Sequence, residues 1–303
     1  MSGFLDRLLG RRTAPAWWIA AVGATAVGVT LSATAPQLPG TEVLSIEDGV
    51  DAVGLLALGG LGVILIRRGV ATGLGRALLL MSEVAGIVWL GSGFADALAG
   101  GETPPAMVRL LALGAEVLHI AVPVLLLVAP LLLFPTGRLP SSRWRWVVVS
   151  AATGVSLAMA SMLLAPGYVD DDVHAWGTNP IGVKALDGLT GVVEAAGAVL
   201  VLVSVLMAAA AVVVRLVRYR GARRRQMWWF LGGIAALVLG VVSDPGSSAV
   251  AQTAWALVIF ATLLGGMTWA LLGPPARAVH DEETETLRTS WPSRVPAPGA
   301  TDT

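Results

Sequence analysis

A chain of 303 residues with 55% apolar residues, 13% charged residues and a mean hydropathy of +0.76 is no soluble domain, in which about a quarter of the residues are charged. Zero formal net charge removes the electrostatic basis for a nucleic-acid partner, and the absence of cysteine excludes disulfides, Cys-ligated zinc and thiol catalysis. Hydrocarbon is therefore the expected solvent for most of the chain. Arginine outnumbers lysine nineteen to one and Ala, Gly and Val dominate, a bias that points to a GC-rich bacterial genome and hence to a multi-pass protein of the bacterial inner (plasma) membrane.

Arg7, Arg11 and Arg12 precede an apolar run from Ala14 to about Ala33, with Trp17 and Trp18 at its start. The pattern resembles a signal peptide, but Pro36 directly after Ala33-Thr34-Ala35 would block cleavage, so a retained first helix is expected. Span two runs from about Val50 to Ile66, span three from Ala77 to Leu98, and span four from about Val108 to Phe134. Span five follows from Trp146 to Leu164, span six from Leu189 to Val214, span seven from about Trp228 to Val242 and span eight from about Thr253 to Leu272. Most approach the ~20 residues that a helix needs to cross a bilayer. Spans two and seven are short.

Charge tests this layout, because arginine and lysine are retained on the cytoplasmic side. With the N-terminus inside, the inner segments carry three basic residues before span one, three after span two and three after span four. Six follow span six and three follow span eight, leaving only Arg109 and Lys184 elsewhere. Carboxylates show the mirror pattern, with Glu42, Glu47, Asp48, Asp51, Glu102, Asp170 to Asp172, Asp187 and Asp244 at or beyond the outer face. The expected fold is all-α: a polytopic membrane bundle of eight transmembrane helices over residues 1–272, with both ends inside. The polar, proline-bearing stretch 273–303 is expected to be a cytoplasmic, disordered tail.

Between spans four and five, Pro135, Gly137 and Pro140 stop one helix and delay the next until Ser141. Arg138, Arg143 and Arg145 hold this turn inside, with Trp144 and Trp146 at headgroup level. Trp17/Trp18 and Trp228/Trp229 repeat that association with a basic cluster. Small residues four apart, Ser82 and Gly86 or Gly232, Ala236 and Gly240, suit close helix packing, with a homo-oligomeric face as the alternative.

Ionisable residues within spans are costly and are functional candidates by default. Arg109, Glu116 and His119 share one face of span four, since Arg109 and Glu116 lie about 20° apart and His119 about 60° from Glu116. His119 falls roughly 16 Å below the outer boundary, Glu83 of span three roughly 22 Å and Glu194 of span six roughly 8 Å. The short turn between spans three and four makes them neighbours, which would bring Glu83 toward His119; Glu194 would face Arg109 or Glu116. Two readings stay open: a polar, proton-responsive pocket, or pairs that only lock helix register. One histidine among scattered carboxylates is no metal constellation, and neither metal nor cofactor is expected.

The outer loop Gly167–Asp187 carries Asp170-Asp171-Asp172 without the alternating spacing of a calcium loop, and Asn179-Pro180-Ile181-Gly182, which is turn chemistry. The inner loop 215–225 carries Arg215, Arg218, Arg220, Arg223, Arg224 and Arg225. It suits anionic lipid or an acidic cytoplasmic partner. No phosphate-binding, nucleophile-elbow or zinc-protease motif is present.

The run Leu133-Phe134-Pro135-Thr136-Gly137-Arg138-Leu139-Pro140-Ser141 with Arg143-Trp144-Arg145 resembles a signature of the multi-span N-terminal input regions of actinobacterial sensor histidine kinases. Asn179-Pro180-Ile181-Gly182 is similar to a stretch in their outer loops. Arg218-Tyr219-Arg220-Gly221-Ala222-Arg223-Arg224-Arg225-Gln226-Met227-Trp228 is similar to the Arg-rich segment after a late span. The resemblance covers about residues 130–230. It implies a sensory or signal-relaying membrane module, whereas the phosphoacceptor hairpin and ATP-binding domain of that family have no counterpart. His280-Asp281-Glu282 echoes a phosphoacceptor box but is followed by too few residues to build one.

The expected function is thus non-catalytic: detection of an envelope or membrane-borne signal, relayed to a cytoplasmic or membrane partner through the loops of Arg138, Arg143 and Arg145 and of Arg218 to Arg225. A transporter or channel built on Glu83, Glu116, His119 and Glu194, or a structural subunit of a membrane complex, are the alternatives.

Overall fold

The computed structural model describes residues 9–35, 46–99, 104–169, 176–242, 249–274, 276, 277 and 279, without the side chains of residues 46, 47, 236–242, 249 and 250. Its α-helices are α1 (Ala14–Thr34), α2 (Ile46–Arg68), α3 (Thr72–Leu98), α4 (Ala106–His119), α5 (Ala121–Leu133), α6 (Arg145–Leu164), α7 (Asp187–Arg218), α8 (Gly221–Val242) and α9 (Ala249–Leu272). Asp170 to Asp172, His174, Asp244, Glu102 and the tail beyond residue 279 lie outside the described residues.

The chain is a multi-pass, all-α membrane protein. Seven helical segments among the described residues are long and apolar enough to cross a bilayer, the longest of them Lys184–Arg218. They coincide with seven of the eight spans expected from hydropathy. The remaining one, Trp228–Val242, is the apolar end of α8, whose opening turns hold Arg223, Arg224 and Arg225.

Span four is interrupted. Ala106–Leu133 counts as one crossing segment, yet α4 stops at His119 and α5 begins at Ala121. Pro123 supplies the reason: it has no N–H to donate to the His119 carbonyl four residues back, and its ring crowds that carbonyl.

Helix pairs close on small residues, as expected where no water drives helices together. Glycines meet across three crossings: Gly28 and Gly93 between α1 and α3, Gly62 and Gly75 between α2 and α3, Gly154 and Gly197 between α6 and α7. A Cβ on Gly93 would run into the Gly28 carbonyl oxygen. Ser82 is fully buried against Gly59, and Gly86 faces Ala21 and Thr25, so these small residues pack within the chain. A Cβ on Gly232, by contrast, would meet no other segment within 4 Å among the described residues. α8 and α9 run antiparallel, with Gly233 against Leu263, Gly266 against the Trp229 carbonyl, and the Gln226 side-chain amide donating to the Ala270 carbonyl at 2.6 Å.

The tryptophan pairs do not act as uniform belts. Trp17 and Trp146 are exposed, as lipid-facing anchors should be. Trp18 instead donates from Nε1 to the Leu56 carbonyl at 2.9 Å, and Trp144 packs on the main core. An indole carries one donor, so it settles where a carbonyl or a packing face accepts it.

That main core joins Leu74, Leu78 and Met81 of α3 to Leu131 and Leu132 of α5, Ala208 and Ala211 of α7, Phe230 of α8 and Met267 of α9. A smaller cluster at the opposite end of the bundle packs Trp176 and Val169 on Ala95, Val108 and Ala112.

Candidate functional site

Two polar cavities share Glu116. The first, of about 210 Å³, lies among α2, α3 and α4 and is lined by Asp48, Asp51, Ser92, Glu116 and His119, with Trp89 and Val122 among its apolar walls. The second, of about 610 Å³, opens between α4, α6 and α7 and is lined by Glu116, Glu194, Tyr168 and Ser161. A third, of about 330 Å³, has only carbon-bearing side chains on its wall, including Leu125, Val128 and Leu132 of α5 and Ala151 and Val155 of α6.

The first cavity gathers three carboxylates and an imidazole. Asp48 and Asp51 stand one turn apart at the start of α2, where the helix dipole favours negative charge. Glu116 and His119, three apart on the last turn of α4, meet them from the other side. Such a set attracts cations. Among the described residues, no three His, Asp or Glu side chains form a metal-ligand group.

The structure separates some of the residues that the sequence would place together. Glu83 lines none of these cavities; it sits about 170° around α3 from the face of Ala85, Val88, Trp89 and Ser92. One of its carboxylate oxygens is buried without a hydrogen-bond partner. The expected approach of Glu83 to His119 fails for that reason: adjacency of two helices does not choose which faces meet. Glu194 shares the second cavity with Glu116. Arg109 is committed elsewhere, donating to the Thr178 carbonyl at 3.3 Å and the Thr178 hydroxyl at 3.4 Å.

Arg109 thereby pins a loop that closes this end of the bundle. Tyr168 and Thr178 form an antiparallel bridge, and the Asn179 side-chain amide donates to the carbonyls of Met162, Leu163 and Ala165 at 3.2, 3.1 and 2.8 Å. Three carbonyls at the end of α6 are thus capped by one side chain. The Asn179 carbonyl oxygen accepts from the Ile181 N–H at 3.0 Å, an Asx turn. Asp96 ties the loop to α1 and α3, accepting from Trp176 Nε1 at 2.8 Å and from the Ser32 hydroxyl at 2.6 Å.

The opposite, arginine-rich end is built around Arg215, which is 3% exposed. Its guanidinium donates to the carbonyls of Leu131 at 3.1 Å, of Leu132, and of Arg138 at 2.9 Å. The geometry follows from the sequence of α5. Its last carbonyls need donors; the Phe134 N–H serves Pro130 and the Gly137 N–H serves Leu133, but Pro135 has none to offer Leu131. Arg215, from α7, fills that vacancy with a planar fork of donors. The Phe134–Pro135 peptide is cis and Gly137 has φ +72°. Phe134 stacks on Phe230 of α8, centroids 4.1 Å apart and planes 10° from parallel. A Cβ on Gly137 would meet Ala71 backbone at 2.5 Å, and one on Gly73 would meet the Gly137 carbonyl oxygen. The turn after α5 therefore contacts α3, α7 and α8 together.

The remaining arginines fan outward from this junction. Arg138, Arg143, Arg145, Arg218, Arg220, Arg224 and Arg225 are exposed, whereas Arg223 is half-buried with its guanidinium 5.9 Å from the Tyr219 ring. Arg145 lies 5.7 Å from the Trp146 ring.

Sequence reasoning did not single out Asp48, Asp51, Asp96 or Arg215 as site residues. The first two read as topology charges, although their spacing puts them on one side of a helix start. Arg215 reads as one of six loop arginines, and only its place inside the helical register of α7 marks it as different. No known protein family, curated protein or solved structure matches this chain.

Proposed function

We propose that this protein is a non-catalytic sensory and signal-relaying membrane module, with its arginine-rich end in the cytoplasm of a bacterial cell and eight spans. One observation carries the reading. The helix interrupted beside Glu116 and His119 continues as α5, and the far end of α5 is held by Arg215 and Phe230, residues of the two helices that flank the basic 215–225 segment. A shift of charge or ligand at the cavity acts on the N-terminal end of α5. Its C-terminal end is joined to the starts of both arginine-bearing loops, through Arg215 on the Arg138 carbonyl and Phe134 on Phe230. The resemblance of these loops to kinase input regions agrees with that assignment, and the partner would be a separate cytoplasmic or membrane signalling protein.

Spin labels test the coupling cleanly, because the chain has no cysteine of its own. Ser142→Cys and Arg224→Cys place labels on two exposed inner segments of the protein in nanodiscs. The relay reading expects Glu116→Gln and His119→Phe to change the interlabel distance distribution. Identical distributions in all three backgrounds would overturn it.

A transporter is the second reading, favoured by the interruption at Ile120 between two half-helices beside acidic groups, an arrangement that lines ion paths. It expects cation or proton flux in proteoliposomes that Glu116→Gln abolishes.

A further inference from the structure

The second and third cavities are parts of one groove. Val124 lines both. Along α4 and α5 the lining recurs at Glu116, Ile120, Val124, Val128 and Leu132, and along α6 at Ala151, Val155, Ala158 and Met162. The α6 positions share one helix face, and the positions on α4 and α5, four apart, turn gradually along the interrupted helix beside it. Along the continuous α6 side, from Ala151 to Met162, the groove runs over about 17 Å, the rise of eleven helical residues.

Its two ends differ in chemistry. The end lined by residues 165–169 carries the carboxylates of Glu116 and Glu194 together with Tyr168. The other end, toward the Pro135 turn, is lined by Ala, Val and Leu alone, with Leu139 of the turn among them. A hydrocarbon chain fits the second part, whose all-apolar wall of Ala, Val and Leu offers it packing contacts. A headgroup at the first part meets two negative charges at partial membrane depth, where unlike charges attract strongly and anionic groups are repelled. Tyr168 adds a ring face of the kind that receives alkylammonium groups.

We infer that this groove binds a single-chain cationic amphiphile, with its amine or quaternary ammonium between Glu116 and Glu194 and its tail along α5 and α6 toward Leu132. The inference deepens the sensory reading by naming the class of signal, and it rests on that reading only for its biological consequence. Binding is measured separately from relay, so the two fail separately.

The test is equilibrium binding of radiolabelled hexadecyltrimethylammonium to the full-length protein in phosphatidylcholine nanodiscs, with empty nanodiscs subtracted. Hexadecyl sulfate is the anionic counterpart and octyltrimethylammonium the short-chain one. Saturable binding is expected, at least tenfold tighter than for hexadecyl sulfate. Glu194→Gln weakens it about tenfold for both chain lengths. Ala152→Trp, at an exposed position lining the apolar part, weakens hexadecyltrimethylammonium and leaves the octyl compound unchanged. Unchanged helical content by circular dichroism establishes that each variant folds, and where Ala152→Trp does not fold, Val148→Phe on the same wall replaces it. Equal binding of the cation and the sulfate, or no response to either substitution, would overturn the assignment, as would uptake no greater than that of empty nanodiscs.

Discussion

Replacing Arg215 by alanine is expected to be among the most damaging single substitutions in this chain. The change withdraws donors from the carbonyls of Leu131, Leu132 and Arg138. Of the last carbonyls of α5, those of Pro130 and Leu133 keep their backbone partners, while Pro135 cannot replace Arg215 at Leu131. Each buried carbonyl left without a donor costs about 1–3 kcal/mol. Against this stands relief from burying the guanidinium, several kcal/mol in magnitude, which disappears with the side chain. A net loss of ~3 kcal/mol follows, the upper end of what hydrogen bonds from a charged group contribute when their neutral acceptors are left buried. Arg215→Lys retains the charge but presents its donors from one point, so it reaches fewer carbonyls and restores only part of the loss. The assay is denaturation in mixed micelles followed by tryptophan fluorescence, with Arg218→Ala as an exposed control. An Arg215→Ala variant within about 0.5 kcal/mol of that control would refute the helix-end account of this residue.

Four further outcomes follow from the same geometry. Gly137→Ala forces a side chain into φ +72° and against Ala71 backbone, and is expected to cost ~1–3 kcal/mol in the same denaturation assay. Asn179→Ala removes the three-carbonyl cap of α6 at a cost of ~1–2 kcal/mol and raises proteolytic cutting of the 176–183 loop. Asn179→Asp is expected to be worse than Asn179→Ala, because a carboxylate would face three carbonyl oxygens. A double-mutant cycle on Phe134→Leu and Phe230→Leu is expected to give a coupling of ~0.5–1.5 kcal/mol for the stacked pair.

Much of the bundle was legible because hydropathy and arginine placement report on the same boundaries. The helices nevertheless run past the apolar runs at charged ends: α2 begins at Ile46 rather than near Val50, and α7 continues to Arg218 rather than stopping near Val214. A carboxylate at a helix start and an arginine at a helix end favour the helix, so hydropathy falls before the helix does. The interruption at Ile120 was hidden for the opposite reason, since Pro123 sits in an unbroken apolar run. For the site, the shared face of Glu116 and His119 could be read from spacing alone. Glu83 could not, because its face on α3 is chosen by the Ser82 and Gly86 contacts with α2 and α1. Asp48 and Asp51 enter the cavity only through the packing of α2 beside α3 and α4, a long-range fact that composition does not encode.

Cysteine accessibility at two exposed positions, Ser142→Cys at the arginine-rich end and Ile181→Cys in the opposite loop, tests the bilayer-spanning arrangement most directly. With a membrane-impermeant maleimide on intact cells, the account predicts labelling at Ile181→Cys alone, and labelling at Ser142→Cys only after permeabilisation. Reaction of both positions from outside, or of Ser142→Cys alone, would contradict it.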